Sequence, residues 1–407
     1  MFASFDFLKG VRIADFCWAG AGPFGTKVFS DLGAEVIKLE SSTRIDSVRM
    51  GGPYKDGVPG VNRSGYFASR NSGKKSVTVD LKKTEGREIA LKLIEKSDVV
   101  TNNFGPQVMQ RLGLGYEDII KVKPDIIHLS MPMYGQSGPY SSLLGVGMTI
   151  SAVTGITGLM GYADGVPVGP GTHYPDHAAN PYHAAFSIMS CLRYRKLTGK
   201  GMQIDLSQVE STINFIGPAI LRFQKSGGSD KLSGNQSKIQ APHNLFKCKG
   251  EDDWCAIAAQ TDAEWESLAF VIGGRDLVSN NSFLRLSDRI KNIEDLESII
   301  STWTHKYTVN EVVTKLEAAG VTVSRVATSE YLLEEDVHLK ERNFWQSVDH
   351  AEVGVTTFTS PPYMIDGKRV MLKPPPLLGE HTEECLKNIL NYSDDEIRHL
   401  IDIDVLR

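Results

Sequence analysis

Short apolar runs alternate with stretches whose apolar positions recur at helical spacing through the first half of the chain. Val11-Arg12-Ile13-Ala14-Asp15-Phe16 reads as a strand, about 23–32 as a helix, and Glu35-Val36-Ile37-Lys38-Leu39-Glu40 as a second strand. Ser76–Leu81 is β-branched enough for a third strand. Glu85–Ser97 carries Ile89, Leu91, Leu93 and Ile94 on a helical repeat, and Asp98–Phe104 returns as a strand. Tyr116–Val122 reads as a helix that Pro124 stops, and Asp125–Ser130 as another strand. This alternation predicts an α/β fold, a Rossmann-like parallel sheet covered by helices.

Residues 131–176 are rich in Gly, Pro, Ser, Thr and Met, as loops around a site are. A long helix from about Pro181 to Leu197, a strand at Gln203–Leu206 and a helix to about Gln224 follow. The pattern then breaks at Ser226–Gln240, rich in Gly, Ser and Lys. Beyond it, a strand at Trp254–Ala259 and helices over 262–319 predict a smaller α+β domain. Pro361-Pro362 and Pro374-Pro375-Pro376 mark a segment that wraps back over another surface. The expected organisation is a large domain over 1–225, a small domain over 226–328, and a C-terminal return over 329–407 that completes the large one.

At 407 residues there is chain enough for two cores. A net charge of −5 argues against nucleic acid or an anionic membrane as partner. Five scattered cysteines without a C-x-x-C pair are expected to be buried reduced thiols of a cytoplasmic protein. No secretory leader pattern opens the sequence. The most apolar stretch, Leu143–Met160, is interrupted by glycines and threonines, so no bilayer span is expected.

Gly20, Gly22 and Gly25 fit G-x-G-x-x-G between two strands, with Glu40 placed as a ribose-binding acid would be. Two readings stand: a nicotinamide or flavin site, or a tight β–α turn serving another ligand. Pro23 removes an amide from the phosphate cradle, and Phe24 is bulky where close packing is wanted. His173, Asp176 and His177 have the spacing of metal ligands, but Pro175 and Pro181 interrupt the helix, and no metal is expected. The other reading is a loop with Asn180 capping the long helix. It leaves Asp176 exposed at a helix start, where the dipole keeps a carboxylate ionised and nucleophilic. There is no G-x-S-x-G elbow, H-E-x-x-H or Walker loop. Lys74-Lys75 and Lys82-Lys83 are either solvated charge or a phosphate grip.

Several segments, in order, carry a family likeness. They are Ala21-Gly22-Pro23, Leu32–Glu40, Asn71 to Ser76 leading to Val79-Asp80-Leu81-Lys82, and Asn103-Phe104-Gly105-Pro106 before Arg111-Leu112-Gly113. Tyr134–Pro139, Thr198–Gly201, Pro361-Pro362 and Leu377–Thr382 follow. The chain resembles the class III CoA-transferases, the family of formyl-CoA and carnitine-type CoA-transferases and alpha-methylacyl-CoA racemases. The resemblance implies transfer of CoA from an acyl-CoA donor to a carboxylic acid, through acyl-aspartyl anhydride and aspartyl-CoA intermediates on Asp176. It implies no tightly bound cofactor, CoA being a substrate. CoA contacts fall on Ala21, Val79, Leu81, Lys82, Asn103, Phe104 and Arg111. The acyl group and oxyanion fall near Gly20, Tyr134, Gly234 and Asn235. The family fold is a pair of interlocked chains, so a homodimer, or a heteromer with a paralogous subunit, is implied.

Two departures stand out. An Arg common after Glu40 is Ser41 here, leaving Arg44 or Lys75 to replace it. A Gln common before Ala21 is Gly20 here, which is expected to widen the pocket. Racemases of the family carry a histidine near Gly145–Met148; none is present, which favours transferase, although His173 and His177 flank Asp176. A CoA-binding subunit whose paralogue does the chemistry is the third possibility. Met131, Met133, Tyr134, Met148 and Tyr174 are expected to wall the pocket and to favour a medium or aromatic acyl group; the resemblance to benzylsuccinate-type relatives implies succinyl-CoA as donor to an aromatic succinate, with carnitine-like acceptors as the rival.

Overall fold

The strands of the first half are buried on both faces, which is why they read as continuous apolar runs. In the computed structural model, which describes residues 2–162, 165–228 and 232–406, six of them form one parallel sheet. They are β1 (Arg12–Asp15), β2 (Glu35–Glu40), β3 (Lys75–Thr78), β4 (Val99–Asn102), β5 (Ile127–Ser130) and β6 (Met202–Asp205). Their order is β3-β2-β1-β4-β5-β6, and every pairing is parallel. The connection reverses direction between β1 and β4, so a crevice opens beyond their carboxyl ends, where ligands of such sheets bind.

Neighbouring residues on one strand serve opposite cores. Ala14, Ile37 and Val100 pack with Ile89 and Leu93 of α3 (Thr84–Glu95) on one face. Ile13, Val36 and Val99 pack with Phe29 of α1 (Ala21–Asp31) and with Ala184 and Ile188 of the long helix Asn180–Thr198 on the other. Each buried Val, Ile, Leu or Phe among them contributes about 1.5–3 kcal/mol of transfer free energy. Four of the five cysteines are buried and all are free thiols.

The chain divides into two compact units. The first comprises Met1–Thr157, Gly169–Ser229 and Val337–Arg407. Its C-terminal segment lies along β3, where Asp80 N–H donates to Val405 O and His381 N–H to Ser76 O. The second comprises Gly158–Val168 and Asp230–Asp336. It holds an antiparallel sheet of His243–Lys247, Trp254–Ala258 and Thr322–Arg325, and a core around Trp265, Leu268, Leu296 and Val312. Two of its helices, Asp262–Val278 and Val309–Ala318, open with full capping boxes, Thr261 with Glu264 and Thr308 with Glu311. Residues 158–168, read from sequence as part of the first domain, join this unit because Gly234 N–H donates to Gly161 O and Val168 N–H to Met160 O. Part of the Gly/Ser/Lys-rich stretch, 229–231, lies outside the described residues.

Several helices escaped the pattern, two of them near Asp176. Gly65–Asn71 is only two turns long and owes its start to Ser64, whose hydroxyl accepts from Phe67 N–H. Gly147–Val153 lies within the stretch read as loops. Among the described residues no helix is long and apolar enough to cross a membrane.

Candidate active site

The loop after β1 is tied down residue by residue. Cys17 N–H donates to Asp15 Oδ1, and Cys17 O accepts from Lys38 Nζ at 2.5 Å. The Asn103 side chain, beyond β4, bridges Trp18 with bonds of 2.8 and 2.7 Å and so spans the crevice. Ala19, at φ +61°, donates its N–H to Asp46. Beneath lie two fully buried ion pairs, Lys74–Asp15 at 3.0 Å and Lys38–Asp46 at 3.1 Å. A loop held at every residue presents Gly20 in one position.

The three motif glycines then have three separate physical reasons. A Cβ on Gly22 would lie 2.6 Å from Cys17 Cβ. One on Gly25 would lie 3.3 Å from Pro181 O, where α1 meets the long helix. One on Gly20 would lie 2.8 Å from Asp176 Oδ2 and 3.0 Å from Asp176 Cβ and Cγ. The dinucleotide reading fails at Glu40. That carboxylate is buried and taken by Arg49 Nε and NH2 at 2.9 and 2.7 Å and by Ser76 Oγ at 2.6 Å, so it has no room for a ribose. Lys74 is likewise no phosphate grip, since Asp15, Pro23 O, Thr26 and Asn71 surround its ammonium.

Asp176 sits in a π-helical turn, Pro175–Ala179, that feeds directly into the long helix. Continuous helical backbone makes a cap at Asn180 impossible; its Nδ2 donates instead to Gln208. The expected exposed carboxylate is therefore mostly enclosed. Gly20 stands on one side and Gly147 on another: a Cβ on Gly147 would lie 2.9 Å from the same Oδ2 and 2.8 Å from His173 Cβ. Burial raises Asp176 to about 6 against the opposing pull of His173 and Arg70. The room expected beside Gly20 is filled by Asp176 itself.

On the third side is a group that the motifs did not mark. Arg70, at the end of helix Gly65–Asn71, stacks on Tyr66 at 4.4 Å and on Phe24 at 5.5 Å. Its NH2 faces the His177 ring and its NH1 the Ser69 hydroxyl. Burial holds His177 neutral, at about 4, helped by Arg70 and His173. The one available signal was an arginine ending a capped, otherwise uncharged turn. His173 Nδ1 is buried without a partner. No cluster of three metal-ligand side chains forms among the described residues.

The other expected residues separate. Asn103 and Phe104 follow β4, and Val79, Leu81 and Lys82 follow β3, all at the carboxyl edge of the sheet. Phe104 meets Trp18 edge to face at 5.8 Å. Ala21 opens α1 beside Gly20. Lys82 and Arg111 are exposed, whereas Val79 is core and offers only backbone. Arg44 lies over Trp18 at 5.4 Å, at the crevice, while Lys75 is held by Glu35 and Glu384. Gly234 and Asn235 belong to the second unit, and the Gly234 amide is bonded there to Gly161 O. Three of the expected pocket walls are not free walls. Met131 and Met133 are core, and Tyr174 packs on Phe215 at 5.7 Å. Tyr134 packs on Tyr140 at 5.7 Å, and Met148 is exposed.

Residues 8–382 match the model of CoA-transferase family III. The sequence is 32% identical over 396 residues to a succinyl-CoA:glutarate CoA-transferase of Mus musculus, across 97% of this chain and 89% of that protein. It is 30% identical over 402 residues to a succinyl-CoA–L-malate CoA-transferase beta subunit of Chloroflexus aurantiacus, across 97% and 96%. The fold matches the crystal structure of a CaiB/BaiF family protein from Brucella suis with a TM-score of 0.85 at 27% identity, covering 94% of this chain and 99% of that one.

Proposed function

Since the chain belongs to CoA-transferase family III, we propose that it moves CoA from succinyl-CoA to a second carboxylic acid through Asp176. The observation that carries this reading is the Asp176 carboxylate held between Gly20 and Gly147 at the carboxyl edge of the sheet. At about 6 it is still roughly nine-tenths ionised at pH 7, and its raised basicity makes it a better nucleophile.

One carboxylate oxygen attacks the thioester carbon, the C–S bond breaks, and CoA leaves as thiolate. The thiolate then attacks the aspartyl carbonyl of the mixed anhydride and releases the donor acid, leaving CoA on Asp176. The acceptor carboxylate repeats the two steps in reverse and regains Asp176 as carboxylate. No net proton moves. Charge develops on a carbonyl oxygen at each addition. The first-turn amides of α1, uncapped by any side chain at Gly20, stand next to the carboxylate and suit that charge. The crevice between Trp18, Asn103 and Phe104 would take the CoA, with Arg44, Lys82 and Arg111 as phosphate contacts.

Racemisation would need acid and base on opposite faces of an α-carbon. His173 Nδ1 and Asp176 Oδ2 instead both lie near the one point where a Gly147 Cβ would be, at 3.1 and 2.9 Å. That convergence favours transfer. The active assembly is proposed to be two interlocked chains. The long helix exposes Tyr182, Phe186 and Leu197, and the helix Gly217–Ser226 exposes Leu221 and Phe223. A heteromer is the alternative, one relative being a beta subunit.

The test is trapping. Hydroxylamine with succinyl-CoA should modify Asp176, and Asp176→Ala should abolish transfer. Full turnover by Asp176→Ala would sink the reading.

A further inference from the structure

Arg70 is an incompletely answered cation. Among the described residues no carboxylate oxygen lies within 4 Å of its guanidinium, in contrast to the buried cations Lys38, Arg49 and Lys74, each of which has one. Its Nε–H is buried and has no acceptor. Its two other nitrogens meet only neutral groups, the Ser69 and Tyr66 hydroxyls and the His177 imidazole. Arg70 is half-buried, and covering its guanidinium further without an anion is costly unless the ligand that covers it supplies one. Its planar fork is also the group best matched to a carboxylate.

Its position says which carboxylate. Arg70 touches His177, the residue after Asp176, and its charge acts on Asp176 from beyond ion-pair distance. It is therefore too far to hold the acyl carbon's own oxygen in place of Asp176, yet near enough for a short linker. The aromatic rings of Tyr66 and Phe24 stack on the guanidinium and hold its plane, so its donors are preorganised rather than mobile.

Resting on the CoA-transferase reading of Asp176, we infer that Arg70 binds the distal carboxylate of a dicarboxylic acyl group and so selects diacids over monoacids. A monocarboxylic substrate would leave the guanidinium unanswered once CoA closes the crevice. Rejection then comes from an unpaired buried charge rather than from a lost attraction alone.

The experiment compares succinyl-CoA with butyryl-CoA, which match in length but differ in the distal carboxylate, as donors to one acceptor. The wild type should prefer succinyl-CoA by roughly 10- to 100-fold in kcat/KM, the range that one or two charge-assisted hydrogen bonds give. Arg70→Met should bring the ratio to within about threefold of unity. Arg70→Lys, which keeps the charge but not the fork, should fall between. It also serves as the readout if Arg70→Met does not fold. An unchanged ratio in these variants, however far the absolute rates fall, would overturn the inference and reassign Arg70 to chemistry common to all acyl groups. Wild-type transfer from both donors with equal efficiency would overturn it while leaving Asp176 standing. Absence of transfer from either donor would bring down the underlying reading itself.

Discussion

Gly147→Ala tests the geometry around the nucleophile with one methyl group. The new Cβ would lie 2.8 Å from His173 Cβ, 2.9 Å from Asp176 Oδ2 and 3.1 Å from His173 Nδ1. Each is short of ordinary carbon contact by roughly half an ångström or more. The His173 Cβ is fixed to backbone and cannot turn away, so the turn carrying His173 and Asp176 must shift. A displacement of about 1 Å costs roughly 100-fold in a well-aligned reaction, so half that distance predicts a loss of roughly tenfold in kcat. Stability should move less. Overpacking costs about 1–3 kcal/mol, and the gain of up to about 1 kcal/mol for Ala over Gly in a helix offsets part of it. The assay is steady-state CoA transfer from succinyl-CoA, with thermal unfolding alongside. Gly217→Ala is the control, since nothing lies within 4 Å of its Cβ position and it also starts a helix. A Gly147→Ala enzyme with wild-type kcat, or a Gly217→Ala enzyme equally impaired, would show that enclosure of the carboxylate does not govern the chemistry.

The remaining expectations are simpler. The ionised form of Asp176 is the nucleophile, so kcat/KM should be flat above pH 6 and fall tenfold per unit below it; an acid limb near 4 would contradict the enclosure. Arg49→Met strands Glu40, both partners being fully buried, and should destabilise by about 3–5 kcal/mol, roughly 10 °C in Tm. Phe104→Ala should raise KM for the acyl-CoA by roughly tenfold with little change in kcat, through loss of one aromatic face. CoA should raise Tm and NAD should not, because Glu40 is already spoken for.

The alternation of short apolar runs and helical repeats was enough to find the six-stranded sheet. β1, β2 and β4 are buried on both faces, and burial alone writes that pattern. The helix Gly65–Asn71 was illegible because two turns carry no period, and its meaning rests on Arg70, whose partners come from Phe24 and His177 elsewhere in the chain. The same local signal was ambiguous at the first glycines. G-x-G-x-x-G records that three backbone sites tolerate no side chain, and sequence cannot say what approaches them.

What the sequence determined by itself was therefore the α/β class, the strand–turn–helix at residues 11–40 and, through ordered motifs, Asp176 as the residue to examine. These depend on neighbours along the chain or on a pattern of residues kept in order. Tertiary structure alone decided that Gly20 and Gly147 close on the Asp176 carboxylate, that Glu40 belongs to Arg49, and that the Arg70 Nε–H is buried without an acceptor among the described residues. Each of those is a contact between residues distant in sequence. Such contacts set dielectric, pKa and available space, which one-dimensional spacing does not encode.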